Sequence, residues 1–335
     1  MGKKQTVIDA LEHRQPERTP HYIELTAQEH ERVAQYLGRD DFAADFDNDL
    51  FVAGYNGQSV PIDGRPNFFR DDWGTVWDRN GIDKDIGVPT SPLVHEPDPK
   101  TEFRPAIDEA WMDSLFAPLD RAPADTFRIA AHGFSMFERA WILRGMENLL
   151  VDMLDEPEFV DAFLDKICEW DLRVIEIGLR HNPDAFLFGD DWGQQKGMIM
   201  GPELWRRFIK PRMARLYGRV REAGKYVLQH SCGDIHEVFP DLIEIGLNAY
   251  QTVQPEIYDL RAIKHEFGDR LAFWGGISTQ KLLPFATPAE VKQKVAETVA
   301  IMAPGGGYIA APTHAVPGDV PAENILALSE AFKEI

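Results

Sequence analysis

The sequence predicts an α/β fold: a (β/α)8 TIM barrel forming a single domain over residues 1–335, with an irregular insertion at about residues 58–105. Three observations predict it. From residue 126 onward, short apolar runs alternate with amphipathic stretches roughly every 25–45 residues, the rhythm of βαβ units. The runs are apolar throughout, as parallel strands covered on both faces should be. No glycine-rich phosphate turn follows the first predicted strand, which removes the main sign of a doubly wound open sheet. A length of 335 residues suits one barrel carrying insertions.

In order, residues 6–13 predict a lead-in helix and residues 21–26 a first strand after the turn at Glu17-Arg18-Thr19-Pro20. Residues 27–37 have helical composition, and Phe51-Val52-Ala53 fits a strand. Between 58 and 105 periodicity is poor, Gly, Pro, Asp and Asn are frequent, and apolar residues are too few for an independent core. There, residues 69–77 and those after Asn80-Gly81 predict a hairpin, because Asn-Gly favours a tight turn. Residues 126–133 predict a strand and 137–152 a helix. A long helix follows over 156–181, with Phe159, Phe163, Ile167, Trp170, Val174 and Ile177 spaced by three or four and Asn182-Pro183 as its stop. Strands are predicted at 185–191, 226–232, 248–253, 271–276 and 307–311. Helices are predicted between them at 202–224, with Gly224 as C-terminal cap, and at 235–245 and 260–267. Thr287-Pro288-Ala289-Glu290 reads as a capping box that opens a helix to residue 302. Pro321 opens the last helix.

The totals limit the function. Hydrophobic residues make up 44% and aromatic ones 11%, enough for a large core. The net charge of −20 argues against nucleic acid and anionic membrane surfaces as partners. No apolar run approaches membrane-spanning length, and the charged N-terminus lacks the apolar region of a signal peptide. Cys168 and Cys232 suggest no disulfide framework, so a cytoplasmic, reducing compartment is expected. Oligomeric state is left open.

If the barrel is right, functional residues lie where strands finish. The ends carry His132, Asp190 with Asp191, His230 with Cys232, Gln251 with Gln254, Trp274, and Thr313 with His314. His230 and Cys232, two apart on a strand, point the same way. An imidazole and a thiol side by side are ligands for a borderline-soft metal such as zinc. Either residue alone is more often a packed core side chain. His314, after the last predicted strand, supplies a third donor and leaves one open tetrahedral position, the catalytic arrangement. Asp190, Asp191 and His132 are the candidates for positioning or activating a substrate, although an Asp-Asp pair serves equally well to cap a neighbouring segment. Gln195, Gln254 and Trp274 are the candidate substrate-binding residues.

The sequence also resembles the uroporphyrinogen decarboxylase superfamily, from about residue 133 to the C-terminus and more loosely before it. The resemblance is carried by Gly189-Asp190-Asp191-Trp192-Gly193, His230-Ser231-Cys232-Gly233, Val253-Gln254-Pro255, Phe273-Trp274-Gly275-Gly276-Ile277, Tyr308-Ile309-Ala310-Ala311-Pro312 and Asn324. It implies a (β/α)8 barrel and one of two activities. One branch decarboxylates uroporphyrinogen without a cofactor. The other binds zinc through His-x-Cys and a later Cys, and moves methyl groups between corrinoid proteins and thiols. His230 and Cys232 match the first two zinc ligands of that second branch. Its third ligand, a cysteine, is replaced here by His314. The decarboxylase branch carries an arginine-rich N-terminal segment that grips substrate carboxylates, whereas the corresponding stretch here, residues 21–37, has only Arg32. The expectation is therefore a zinc-dependent methyltransferase acting between a corrinoid protein or methylated small molecule and a thiol. The alternatives are a decarboxylase of a porphyrinogen or other acid, and a non-catalytic binding barrel.

Overall fold

The computed structural model describes residues 2–57, 59–81, 86–103, 105 and 108–335. Its centre is a seven-stranded parallel sheet, curled in a TIM-barrel-like fold. In chain order the strands are β1 (Leu50–Tyr55), β2 (Phe127–His132), β3 (Ala185–Gly189), β4 (Tyr226–His230), β5 (Ala249–Val253), β6 (Ala272–Ile277) and β7 (Tyr308–Pro312), and each pairs with the next. The predicted first strand is reduced to two isolated bridges, His21 to Ala310 and Leu25 to Val316. This stretch nevertheless touches both sheet edges. The Tyr22 N–H donates to the Ala310 carbonyl (3.0 Å), and the Asp49 N–H to the His21 carbonyl (3.1 Å).

Two apolar layers fix which way each side chain points. Leu50, Phe127, Ile129, Ala185, Leu228, Ala249, Ala272, Trp274, Ile309 and Ala311 form one buried cluster. Their register marks the concave side of the sheet. Ala130, Phe186, Phe188, Val227, Tyr250, Phe273, Tyr308 and Ala310, one residue out of phase, join the helices in the other cluster. Strand side chains alternate, so this parity decides which strand-end residues face the mouth.

Helix punctuation follows the sequence closely. The helix Ala27–Leu37 is capped by Thr26, whose Oγ accepts from the Glu29 N–H, and ends at Gly38 with φ 69°. Thr287 and Glu290 form the reciprocal capping box of Pro288–Met302, with proline in the first turn. Elsewhere the helices differ from expectation. The single helix predicted over 137–152 is two, Met136–Arg144 and Met146–Asp155, separated by Gly145 at φ 88°. The stretch predicted as one helix over 202–224 contains a π-helical turn, Trp205–Ile209.

The insertion forms a four-stranded antiparallel sheet, Ser59–Ile62, Arg65–Asp71, Val76–Asp78 and Val88–Pro89. Asp78 pairs with Val88, so the connection is longer than the tight turn that Asn80-Gly81 suggests. Residues 82–85 of that connection, with 58 and 104 of the predicted insertion, lie outside the described residues. Among the described residues no helix is long and apolar enough to cross a membrane.

Candidate metal centre

Parity places His230 on the concave side, in phase with Leu228. Strand β4 ends there, and Cys232 sits in the loop beyond it. The loop still turns the thiol back: Cys232 Sγ lies 3.6 Å from His230 Nε2. Hydrogen bonds from its own backbone N–H groups help to hold it. The Cys232 N–H donates to Asp191 Oδ1 (2.7 Å), and the Gly233 N–H to Gln254 Oε1 (2.9 Å). Gly233 has φ +78°, and a Cβ there would lie 2.2 Å from the Gly193 carbonyl carbon. Only glycine lets the short hairpin Gly193–Gln194/Gly197–Met198 pack this tightly against the Cys232 loop.

His314 follows β7 and completes the set. The donor atoms of His230, Cys232 and His314 all lie within 4.8 Å of one another. The two imidazoles have centroids 5.7 Å apart and planes at 76°. A tetrahedral zinc with ordinary Zn–S and Zn–N bonds requires an S···N edge of about 3.6 Å. The His230–Cys232 pair meets that requirement, and His314 lies beside it as an exposed third donor. The residues therefore fit a zinc ion.

A neighbour fixes the histidine tautomer. His230 Nδ1 lies 2.5 Å from Gln251 Oε1, an acceptor, so Nδ1 carries the proton and Nε2 presents its lone pair towards Cys232. Asp191 Oδ1 is 3.5 Å from that Nε2. Burial, with the Asp191 carboxylate alongside, pushes the Cys232 thiol above its ordinary pKa. A cation bound between these groups would reverse that preference.

Cys232, His314, Gln254 and Thr313 line a cleft of 560 Å3, with Thr26, Gln28, Thr279 and Asp319. Among the described residues no lysine or arginine lines it. A smaller space beneath is bounded by Tyr22, Glu24, Gln251, Trp274 and His314.

The other predicted residues fall differently. His132 is out of phase with Phe127 and Ile129, so it points outward; it is buried, with Nε2 2.7 Å from Asp171 of the helix Pro157–Leu179. Parity alone thus removes it from the mouth. Asp190 is fully buried and accepts from the backbone N–H groups of Phe137 (3.1 Å) and Glu138 (2.7 Å) and from Trp192 Nε1 (2.6 Å). It caps the helix Met136–Arg144 instead of facing a substrate. Burial pushes its pKa well up despite those donors. Gln195 sits exposed at the tip of the short hairpin. Trp274 is 1% exposed and packs edge-on against Tyr22, forming floor beneath the cleft. Asp191 and Gln254 do lie at the centre, but they hold the Cys232 loop through backbone N–H groups.

Two acidic residues escaped sequence reasoning. Glu138 accepts the Asp191 backbone N–H, and burial, then Asp191 and Asp190, push its pKa well above the usual carboxylate range. Glu24 lines the small cavity near His230, and burial raises it too. Parity with Tyr22 would have placed Glu24 on the concave side; nothing in the sequence marks Glu138.

The sequence profile of the family described as uroporphyrinogen decarboxylase (URO-D) matches residues 134–335. The uroporphyrinogen decarboxylase of Geobacillus kaustophilus (strain HTA426) is 31% identical over 86 residues, covering 26% of this chain and 24% of that protein. That of Psychromonas ingrahamii (strain DSM 17664 / CCUG 51855 / 37) is 22% identical over 183 residues, covering 54% of this chain and 49% of its own length. The chain thus spans less than half the length of these curated relatives. A solved methyltransferase from Methanosarcina mazei superposes with a TM-score of 0.76 at 15% identity, covering 100% of this chain and 99% of that one. The two share a fold.

Proposed function

Because this chain belongs to the uroporphyrinogen decarboxylase family, we infer that its barrel mouth houses a zinc-dependent methyltransferase, moving a methyl group between a corrinoid protein or methylated small molecule and a thiol. The single observation that carries this reading is the convergence of His230, Cys232 and His314 within 4.8 Å at a cleft that Cys232 and His314 line. The same reading takes the stretch around His21–Leu25, hydrogen-bonded to both sheet edges, as the eighth stave of a (β/α)8 barrel.

His230 Nε2, Cys232 Sγ and His314 would hold the metal. Bound zinc supplies Lewis acidity that lowers the pKa of a thiol placed in the remaining coordination position. The chain's own residues prepare that position. Gln251 keeps the His230 proton on Nδ1, and Asp191 and Gln254 pin the Cys232 loop. The 560 Å3 cleft gives the acceptor its approach and leaves the mouth accessible to a corrinoid protein.

The curated relatives are decarboxylases, which makes decarboxylation the second reading. A porphyrinogen carries many carboxylates. Among the described residues the cleft lining includes Asp319 and no lysine or arginine, and Arg32 is paired with Glu29 and the Gly318 carbonyl. This electrostatic mismatch favours methyl transfer.

Metal analysis and a methyl-transfer assay test the proposal together. Protein purified without added metal should carry about one zinc, and His230→Ala and Cys232→Ala should carry almost none. Incubation with methylcobalamin and a simple thiol should give demethylated cobalamin and a thioether, and the two variants should lose that turnover. Equal zinc in all three proteins, or uroporphyrinogen turnover by metal-free protein, would overturn the reading.

A further inference from the structure

A second cavity, of 490 Å3, lies between the inserted sheet and the helix Met136–Arg144. Trp77, Phe134 and Trp141 supply aromatic walls, and among the described residues its one ionisable lining residue is Glu138. Among the described residues, the charges that bear most on the Glu138 carboxyl are those of Asp191 and Asp190, both negative, and of His230. A buried carboxyl beside two other acids is costly to ionise, and a cationic ligand would offset that cost. The aromatic walls point the same way, because ring faces attract ammonium groups and methyl groups pack well against them. The net charge of −20 further concentrates cations near the mouth. Ile86 lines both this cavity and the cleft that carries Cys232 and His314, so the two spaces adjoin.

We propose that this cavity binds a methylated ammonium cation, its charge against Glu138 and its methyl groups against Trp77, Phe134 and Trp141. The ligand's role as methyl source rests on the methyl-transfer reading; its binding does not. In the transfer an N–CH3 bond breaks and leaves its electron pair on nitrogen, giving a neutral tertiary amine. An acceptor thiolate forms the new S–CH3 bond. The opposite charges of the reactants cancel and no oxidant is required.

Calorimetric titration with choline and with its uncharged carbon isostere, 3,3-dimethylbutan-1-ol, tests the binding. Choline should bind the wild-type protein about tenfold tighter than the isostere, the scale of one desolvated cation–aromatic and ion-pair contact. Glu138→Gln should remove that preference, and Trp141→Ala should weaken both ligands. Cys232→Ala, expected to lack metal, should still bind choline. Thermal melts of each variant separate lost folding from lost binding. Equal affinity for choline and the isostere, no binding of choline, or a preference that survives Glu138→Gln in folded protein would overturn the proposal. None of these results bears on zinc content or on transfer from methylcobalamin to a thiol.

Discussion

Gln251 makes a single contact with His230, and that contact selects which imidazole nitrogen faces the cleft. Partners of this kind orient a ligand without touching the metal, and their loss typically weakens metal affinity by about 10–100-fold. Gln251→Ala should therefore lower zinc affinity in that range, measured by competition with a chromophoric chelator. Asp190 has a different task. Removing it strands three buried N–H donors, each costing about 1–3 kcal/mol. Asp190→Ala should lose at least about 3 kcal/mol in urea unfolding. Glu29 is buried, with Oε1 lacking a hydrogen-bond partner, and burial pushes its pKa up to about 7. The folded state then binds a proton that the unfolded state releases at lower pH. Stability contributed by this group is full below the unfolded value of 4.5 and is lost as pH rises towards 7. Glu29→Gln should raise the melting temperature at pH 8 relative to wild type and change it little at pH 4. At this scale the sequence was legible where two donors stood two apart on one strand, as at His230 and Cys232. It was opaque at Glu138, which reaches the site through the backbone of a residue far off in the chain.

Elements succeed or fail as their local chemistry is self-contained. The capping box at Thr287 needs four consecutive residues and formed as expected. Thr287→Ala should cost about 1 kcal/mol and leave zinc affinity untouched, since the box lies away from the mouth. The Cys232 loop depends instead on a distant hairpin docked against Gly233. Gly233→Ala should disturb both the positive-φ backbone and that contact, so zinc affinity should fall along with stability. Strand ends were readable from composition, but their facing required the parity of the formed sheet. His132 shows the difference: a polar strand end that turns towards the helix layer and Asp171. Of the inserted sheet only the pairing around residues 69–77 was readable; strands such as Ser59–Ile62 are largely exposed and lack an apolar alternation.

For the whole molecule, the TIM-barrel-like fold brings together segments more than 80 residues apart, Cys232 and His314, at one cleft. A ligand that binds only such an assembled site stabilises the fold by mass action, about 2.7 kcal/mol at a hundredfold excess over its dissociation constant. Chelation should accordingly lower the melting temperature by several degrees, and added zinc should restore it. The Cys232→Ala protein should not respond to either treatment. The most direct test of the account is the zinc K-edge X-ray absorption spectrum of the purified protein. Zinc held by His230, Cys232 and His314 should show one sulfur scatterer at about 2.3 Å and two imidazole nitrogens at about 2.0–2.1 Å, with the sulfur shell lost in Cys232→Ala. A zinc shell of nitrogen and oxygen alone in the wild-type protein, or protein that takes up no zinc, would contradict it.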